Sequence, residues 1–160
     1  MTLLFRRATP ADADALAGLY QQLAASPQIQ VCPQHLARLA ADTQQTLLVA
    51  ELSGKVIGTA HIHYCQDAMF GQQPFAVIEN LVVDITHRSQ GVGRQLMQTI
   101  EAHCVARDCS KMLLSSGQQR TAAHALFRAV GLDPTSKYAF VKYRRHMQAR
   151  NTTEYPPHGQ

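Results

Sequence analysis

A chain of 160 residues, 46% hydrophobic and 16% charged, is long enough to bury one core without disulfides or metal and too apolar to stay disordered over most of its length. The formal net charge of +4 suits an anionic ligand and falls short of the dense basic patch of a nucleic-acid binder, so no nucleic-acid partner is expected. Arg6, Arg7 and Asp12 interrupt the N-terminal apolar run, which argues against a signal peptide or a spanning helix and leads to the expectation of a cytoplasmic protein with no membrane partner.

In chain order, Leu3 to Ala8 forms a short apolar strand pattern. Thr9 offers an N-cap oxygen, Pro10 suits the first helical position, Asp12 puts a carboxylate in the first turn, and Leu16, Leu19, Tyr20 and Leu23 recur on one helical face. Ser26 to Pro33 holds two prolines and breaks that helix, and His35 to Asp42 fits a second, shorter one. Thr46 to Leu52 and Val56 to Cys65 are aliphatic and β-branched around the turn residues Ser53, Gly54 and Lys55, the pattern of a hairpin. Cys32, Cys65, Cys104 and Cys109 form neither a CxxC pair nor a zinc spacing, so they are expected to be idle thiols with no metal site.

A polar loop from Gln66 to Pro74 precedes a strand over Phe75 to Asp84. Val92, Leu96, Met97, Ile100 and Cys104 then repeat at helical spacing. Lys111 to Ser115 fits another strand, Ala122 to Val130 a helix closed by Gly131, and Tyr138 to Tyr143 a last strand of alternating character. Residues 1–147 are expected to form a single domain, and 148–160, which lack periodicity, a flexible tail.

The junction from Asp84 to Met97 carries most of the functional information. It holds Arg88-x-x-Gly91-x-Gly93 between a strand and a helix, where unpaired backbone N–H groups and the positive end of the helix dipole converge and suit a pyrophosphate. Glycine at 91 and 93 leaves room for phosphate oxygens, and Arg88 and Arg94 add mobile positive charge. A dinucleotide fingerprint needs a third glycine in register and a P-loop needs Gly-Lys-Ser/Thr; neither is present.

The strand Val77 to Val83, this loop and its helix resemble the acetyl-CoA motif of the GNAT superfamily of N-acetyltransferases, and the order of expected elements agrees with that family up to the last strand. The resemblance implies a mixed α/β (α+β) fold: a mainly antiparallel central sheet, about four flanking helices, and a splayed strand pair that holds acetyl-CoA as co-substrate. By the same resemblance, Leu81, Val82 and Val83 meet the pantetheine arm as if it were an added strand. Ser89, Gln90, Gly91, Val92, Gly93 and Arg94 hold the pyrophosphate beside Arg88, and Ser115, Arg120 and Phe127 complete the cofactor contacts. Leu114 to Arg120 followed by Ala123 and His124 is similar to bacterial enzymes that acetylate small amines, such as the aminoalkylphosphonate acetyltransferases. The implied partner is therefore a small-molecule amine, and the family allows a homodimer.

An alkyl amine with a pKa near 10 is mostly protonated at neutral pH, so freeing its lone pair costs about 4 kcal/mol and calls for a base. Glu79, on the strand beside the expected thioester, is the candidate, with a salt bridge or a cross-strand hydrogen bond as its other use. His61 and His63 share a strand face and either join that proton path or are partly exposed strand residues. Phe127 stands where many members of the family carry a tyrosine that protonates the departing thiolate, and Arg120 where many carry an asparagine. Tyr138, Tyr64 and His124 are substitutes by chemistry alone, and each reads equally as an ordinary core or surface residue. A peptide or protein amine as acceptor, and a non-catalytic acyl-CoA-binding module, are the alternatives.

Overall fold

The computed structural model describes residues 2–148, so all but the first position of the expected tail lies outside the described residues. Five strands form one sheet in chain order: β1 (Leu3–Arg7), β2 (Gln45–Leu52), β3 (Lys55–Cys65), β4 (Phe75–Val83) and β5 (Met112–Leu114). The first four are antiparallel neighbours, and β5 joins β4 in parallel through the helix between them. The helices are α1 (Ala13–Ala24), α2 (Pro33–Ala41), α3 (Val92–Ala106) and α4 (Thr121–Ala129). The mixed, mainly antiparallel sheet with four helices is the architecture expected from the sequence. Among the described residues, no helix is long and apolar enough to cross a membrane.

Strand alternation divides the core between the two faces of the sheet. Leu47 and Val49 pack with Leu16 of α1 and Leu36 of α2 on one side. On the other, Leu48, Ala60, Ile62, Tyr64, Ala76 and Ile78 pack with Leu96, Met97, Ile100 and Cys104 of α3 and Phe127 of α4. The entry to α1 is tied down by charge. Arg6 of β1 donates to both oxygens of Asp12, at 2.8 and 2.9 Å, and to Glu51 of β2 at 2.7 Å, while the backbone N–H of Thr9 also donates to Asp12. The hydrogen bonds from Arg6 hold the buried Asp12 carboxyl below its usual range.

Two local departures matter for function. Between Thr59 and His61 the β3–β4 register shifts: Thr59 pairs with Val82 and His61 with Glu79, so Asn80 and Leu81 together face the single residue Ala60. This bulge puts Asn80 in the left-handed region, φ 54°. Just before the bulge, pairing of β4 with β5 ends at Ile78 with Leu114, and the rest of β4 has a free edge on that side, where the splay was expected. The second departure corrects an expectation. Tyr138 to Tyr143 forms no strand; Tyr138 and Phe140 are 90% and 93% exposed, with ring centroids 6.4 Å apart. Period-two alternation shapes a ribbon, but a strand also needs a bonded edge, and among the described residues this segment pairs with neither outer strand of the sheet.

Candidate acyl-donor cleft and acceptor face

Where β4 ends, Asp84 organises the turn that leads to α3. One carboxylate oxygen accepts the Thr86 hydroxyl and the Thr86 backbone N–H (3.0 Å), and the other accepts the Gln22 amide at 2.9 Å. Those bonds hold the Asp84 carboxyl well below the usual carboxylate range. Gln22 in turn accepts from the Ile85 N–H at 2.9 Å, so α1 grips both sides of the turn. Ser89 and Gly91 then adopt φ of 59° and 83°, the left-handed turn that lets the chain reverse into α3. The first helical bond runs from Gln95 N–H to the Gly91 carbonyl, which leaves the amides of Val92, Gly93 and Arg94 without a partner inside the helix.

The two glycines serve different ends. A Cβ on Gly91 would meet only Nε2 of Gln95, at 4.0 Å, and its requirement is conformational. A Cβ on Gly93 would stand 2.9 Å from Cδ2 of Leu126, so this glycine is small because α4 packs onto the first turn of α3. Both glycines were expected to make room for phosphate; position 93 answers first to helix packing.

A cleft of about 570 Å³ opens along this junction. Leu81, Val82 and Val83 form its strand wall, and Arg88, Ser89, Gly91, Gly93 and Arg94 its loop. Gln119 to Ala123 with Leu126 form the far wall, and Gln22 and Leu23 of α1 close one end. Among the described residues no carboxylate lines it. The Val82 carbonyl faces β3, lying 3.3 Å from the position of a Cβ on Gly58, so by alternation the Leu81 and Val83 carbonyls face the cleft. Arg120 donates to the Leu81 carbonyl at 3.2 Å and Arg88 to the Val83 carbonyl at 2.9 Å. Burial, with the nearby charge of Arg88, pulls the Arg120 guanidinium below its ordinary pKa. A row of carbonyls beside unpartnered amides and three arginines fits an extended amide-bearing arm that ends in phosphates.

Nine of the thirteen expected cofactor residues line this cleft: Leu81, Val82, Val83, Arg88, Ser89, Gly91, Gly93, Arg94 and Arg120. Gln90 turns back to the Thr86 carbonyl at 3.0 Å, Val92 is buried with Ala50 and Ile57, and Ser115 is exposed beyond β5. Phe127 is buried against α3 and the sheet, so it is a core residue and not part of the lining. Sequence reasoning missed Gln22 and Leu23 as cleft residues, since nothing in the pattern of a single helix tells which of its residues a distant loop will use.

On the α1 face of the sheet lies a second group. Glu79 is directly opposite His61 across β3 and β4, and the His61 and His63 rings lie 4.0 Å apart. His61 Nε2 is 2.8 Å from Gln45 Oε1. Burial, then the adjacent His63 and His35, push His61 down to about 4, so its ring is neutral at pH 7. Glu79 is exposed and makes no ion pair or side-chain hydrogen bond among the described residues. His124 is half-buried on α4 and does not line the cleft. Tyr138 lies on the exposed C-terminal stretch, so the structure does not bring it to either group. Among the described residues, no cluster of three or more His, Cys, Asp or Glu could hold a metal ion.

These features agree with what the chain is similar to. An aminoglycoside N(6')-acetyltransferase type 1 of Stenotrophomonas maltophilia is 28% identical over 140 residues, covering 86% of this chain and 90% of that one. Among solved structures, an acetyltransferase candidate from Agrobacterium tumefaciens str. C58 superposes with a TM-score of 0.79 at 26% identity, over 88% of this chain and 99% of that one. AAC(6')-Iy, solved with a CoA-S-monomethyl-acetylneamine bisubstrate analogue, shares the fold with a TM-score of 0.74 at 19% identity, over 90% and 99% of the two chains. Residues 15–132 match the family model of the GNAT acetyltransferases, and the chain belongs to that family.

Proposed function

We propose that this protein transfers the acetyl group of acetyl-CoA to the primary amine of a small molecule by direct attack on the thioester. The observation that carries the reading is the carboxylate-free cleft, in which cleft-facing carbonyls of β4 run into the unpartnered amides at the start of α3. Its two ends offer different chemistry: hydrogen-bond acceptors for the amides of an extended arm, then positive charge for phosphates.

Catalysis on this reading joins the cleft to the face that carries Glu79. The amine nitrogen attacks the thioester carbonyl carbon, the carbon–sulfur bond breaks, and the sulfur keeps the electron pair. Glu79 takes the ammonium proton, directly or through water, which offsets the larger barrier. Departure as a thiolate is the smaller one: a thiol with a pKa near 8.5 disfavours the anion at pH 7 by roughly 2 kcal/mol. Phe127 supplies no proton, and neither His124 nor Tyr138 stands in the cleft, so the sulfur leaves without a general acid.

The small-molecule acceptor is favoured by the likeness to an aminoglycoside acetyltransferase that spans most of both chains. The deciding experiment is thiol release from acetyl-CoA with a panel of aminoglycosides, hexosamines, aminoalkylphosphonates and a lysine-bearing peptide. Turnover is expected with a small amine. Turnover with the peptide alone would make the acceptor a protein, and binding of acetyl-CoA without turnover on any amine would leave an acyl-CoA-binding module.

A further inference from the structure

We propose that Arg120 makes the donor site selective for phosphate-bearing thioesters, because it occupies the Leu81 carbonyl until a phosphate draws its guanidinium away. The inference rests on the reading of the cleft as an acyl-CoA site and adds a specificity device to it.

The geometry is that of a latch. Arg120 precedes α4 on one wall of the cleft, and its side chain spans to the Leu81 carbonyl on the other at 3.2 Å. Leu81 and Val83 supply the two cleft-facing carbonyls on the free edge of β4, since pairing with β5 ends at Ile78. Both carbonyls are already taken, the second by Arg88 at 2.9 Å. An arm that adds itself to this edge as a strand needs the same acceptors and must approach them through the space the guanidinium groups now fill. It therefore competes with arginine for them.

Charge determines which ligands can do so. The half-buried Arg120 shares the cleft with Arg88, and among the described residues neither is paired with a carboxylate. Each guanidinium rests on a neutral carbonyl, whereas a phosphate offers it an opposite charge and two oxygens at once. A coenzyme thioester replaces what it takes: its amides satisfy the carbonyls and its phosphates receive the arginines. A pantetheine thioester has the same amides and no phosphate, so it strips Arg120 from Leu81 and leaves a half-buried cation without a partner.

The effect of removing Arg120 therefore differs in sign between the two ligands. Titration calorimetry of Arg120→Ala with CoA should show affinity reduced about tenfold. Displacement titrations with pantetheine should show affinity raised about threefold or more. Arg120→Met, which keeps the aliphatic stem, should behave the same way and serves should the alanine variant fail to fold. A parallel loss for both ligands would reduce Arg120 to a structural cap of α4 and overturn the proposal, as would a loss for CoA with pantetheine unchanged. Wild-type protein that binds pantetheine but not CoA would instead refute the acyl-CoA reading itself, and the latch with it.

Discussion

The proposed donor cleft and the proposed acceptor face lie on the same strand, β4, and are built from different material. The cleft draws on backbone groups, namely two carbonyls, the first amides of α3 and a left-handed turn, with arginine side chains at the rim. The acceptor face draws on side chains at alternate strand positions, Glu79 and His61 with His63 beside it, and no turn or helix end takes part. A site made of backbone tolerates most side-chain changes and fails when the chain path changes. A site made of side chains keeps its shape through substitution and loses chemistry one group at a time.

That contrast can be broken most severely at Gly91. Gly91→Asp imposes a side chain at φ 83° and sets a negative charge beside the phosphate position, so CoA affinity should fall at least about 100-fold in calorimetry while the thermal unfolding transition persists. On the other side, Glu79→Gln should lower turnover about 100-fold at neutral pH with CoA affinity within about twofold, the deficit shrinking at high pH where free amine is abundant. A wild-type rate for that variant would make Glu79 structural.

Smaller effects sharpen the comparison. Gly93→Ala should destabilise the protein by about 1–2 kcal/mol through the contact with Leu126, and Leu126→Ala in the same chain should recover part of that loss, a coupling measurable by urea denaturation of the four-member cycle. If Gly93 served phosphate alone, no such coupling would exist. The last effect concerns pH. His61 has a folded pKa near 4 against about 6.5 unfolded, so its contribution is fully present above pH 6.5 and is lost as pH falls toward about 4. His63, His35 and Glu79 face it. His61→Gln should flatten the stability profile across that window and leave CoA affinity unchanged.

The same contrast explains what could be read from sequence. Turns and caps depend on neighbours in the chain, so Thr9 and Pro10, Ser53 and Gly54, and the Arg88 to Gly93 loop disclosed their structures locally. Helix periodicity placed Leu96, Met97 and Ile100 in the core correctly. The bulge at Asn80 did not disclose itself, because an inserted residue is visible only against the partner strand. Nor could alternation tell that Tyr138 to Tyr143 would lack a partner, whereas Val77 to Val83 would find one. Glu79 was legible as an odd carboxylate in an apolar strand, and its position opposite His61 was not, since cross-strand register is a long-range fact.

Gln22 sits on α1, yet it bonds Asp84 and Ile85 at the threshold of the donor loop. Helix α1 also lies over β3 and β4, on the face that presents Glu79 and His61. One helix thus borders both the cleft and the proposed acceptor face. Thermodynamic linkage then applies in a strict form: if the acceptor shifts α1 and changes the affinity for CoA by some factor, CoA must change the affinity for the acceptor by the same factor.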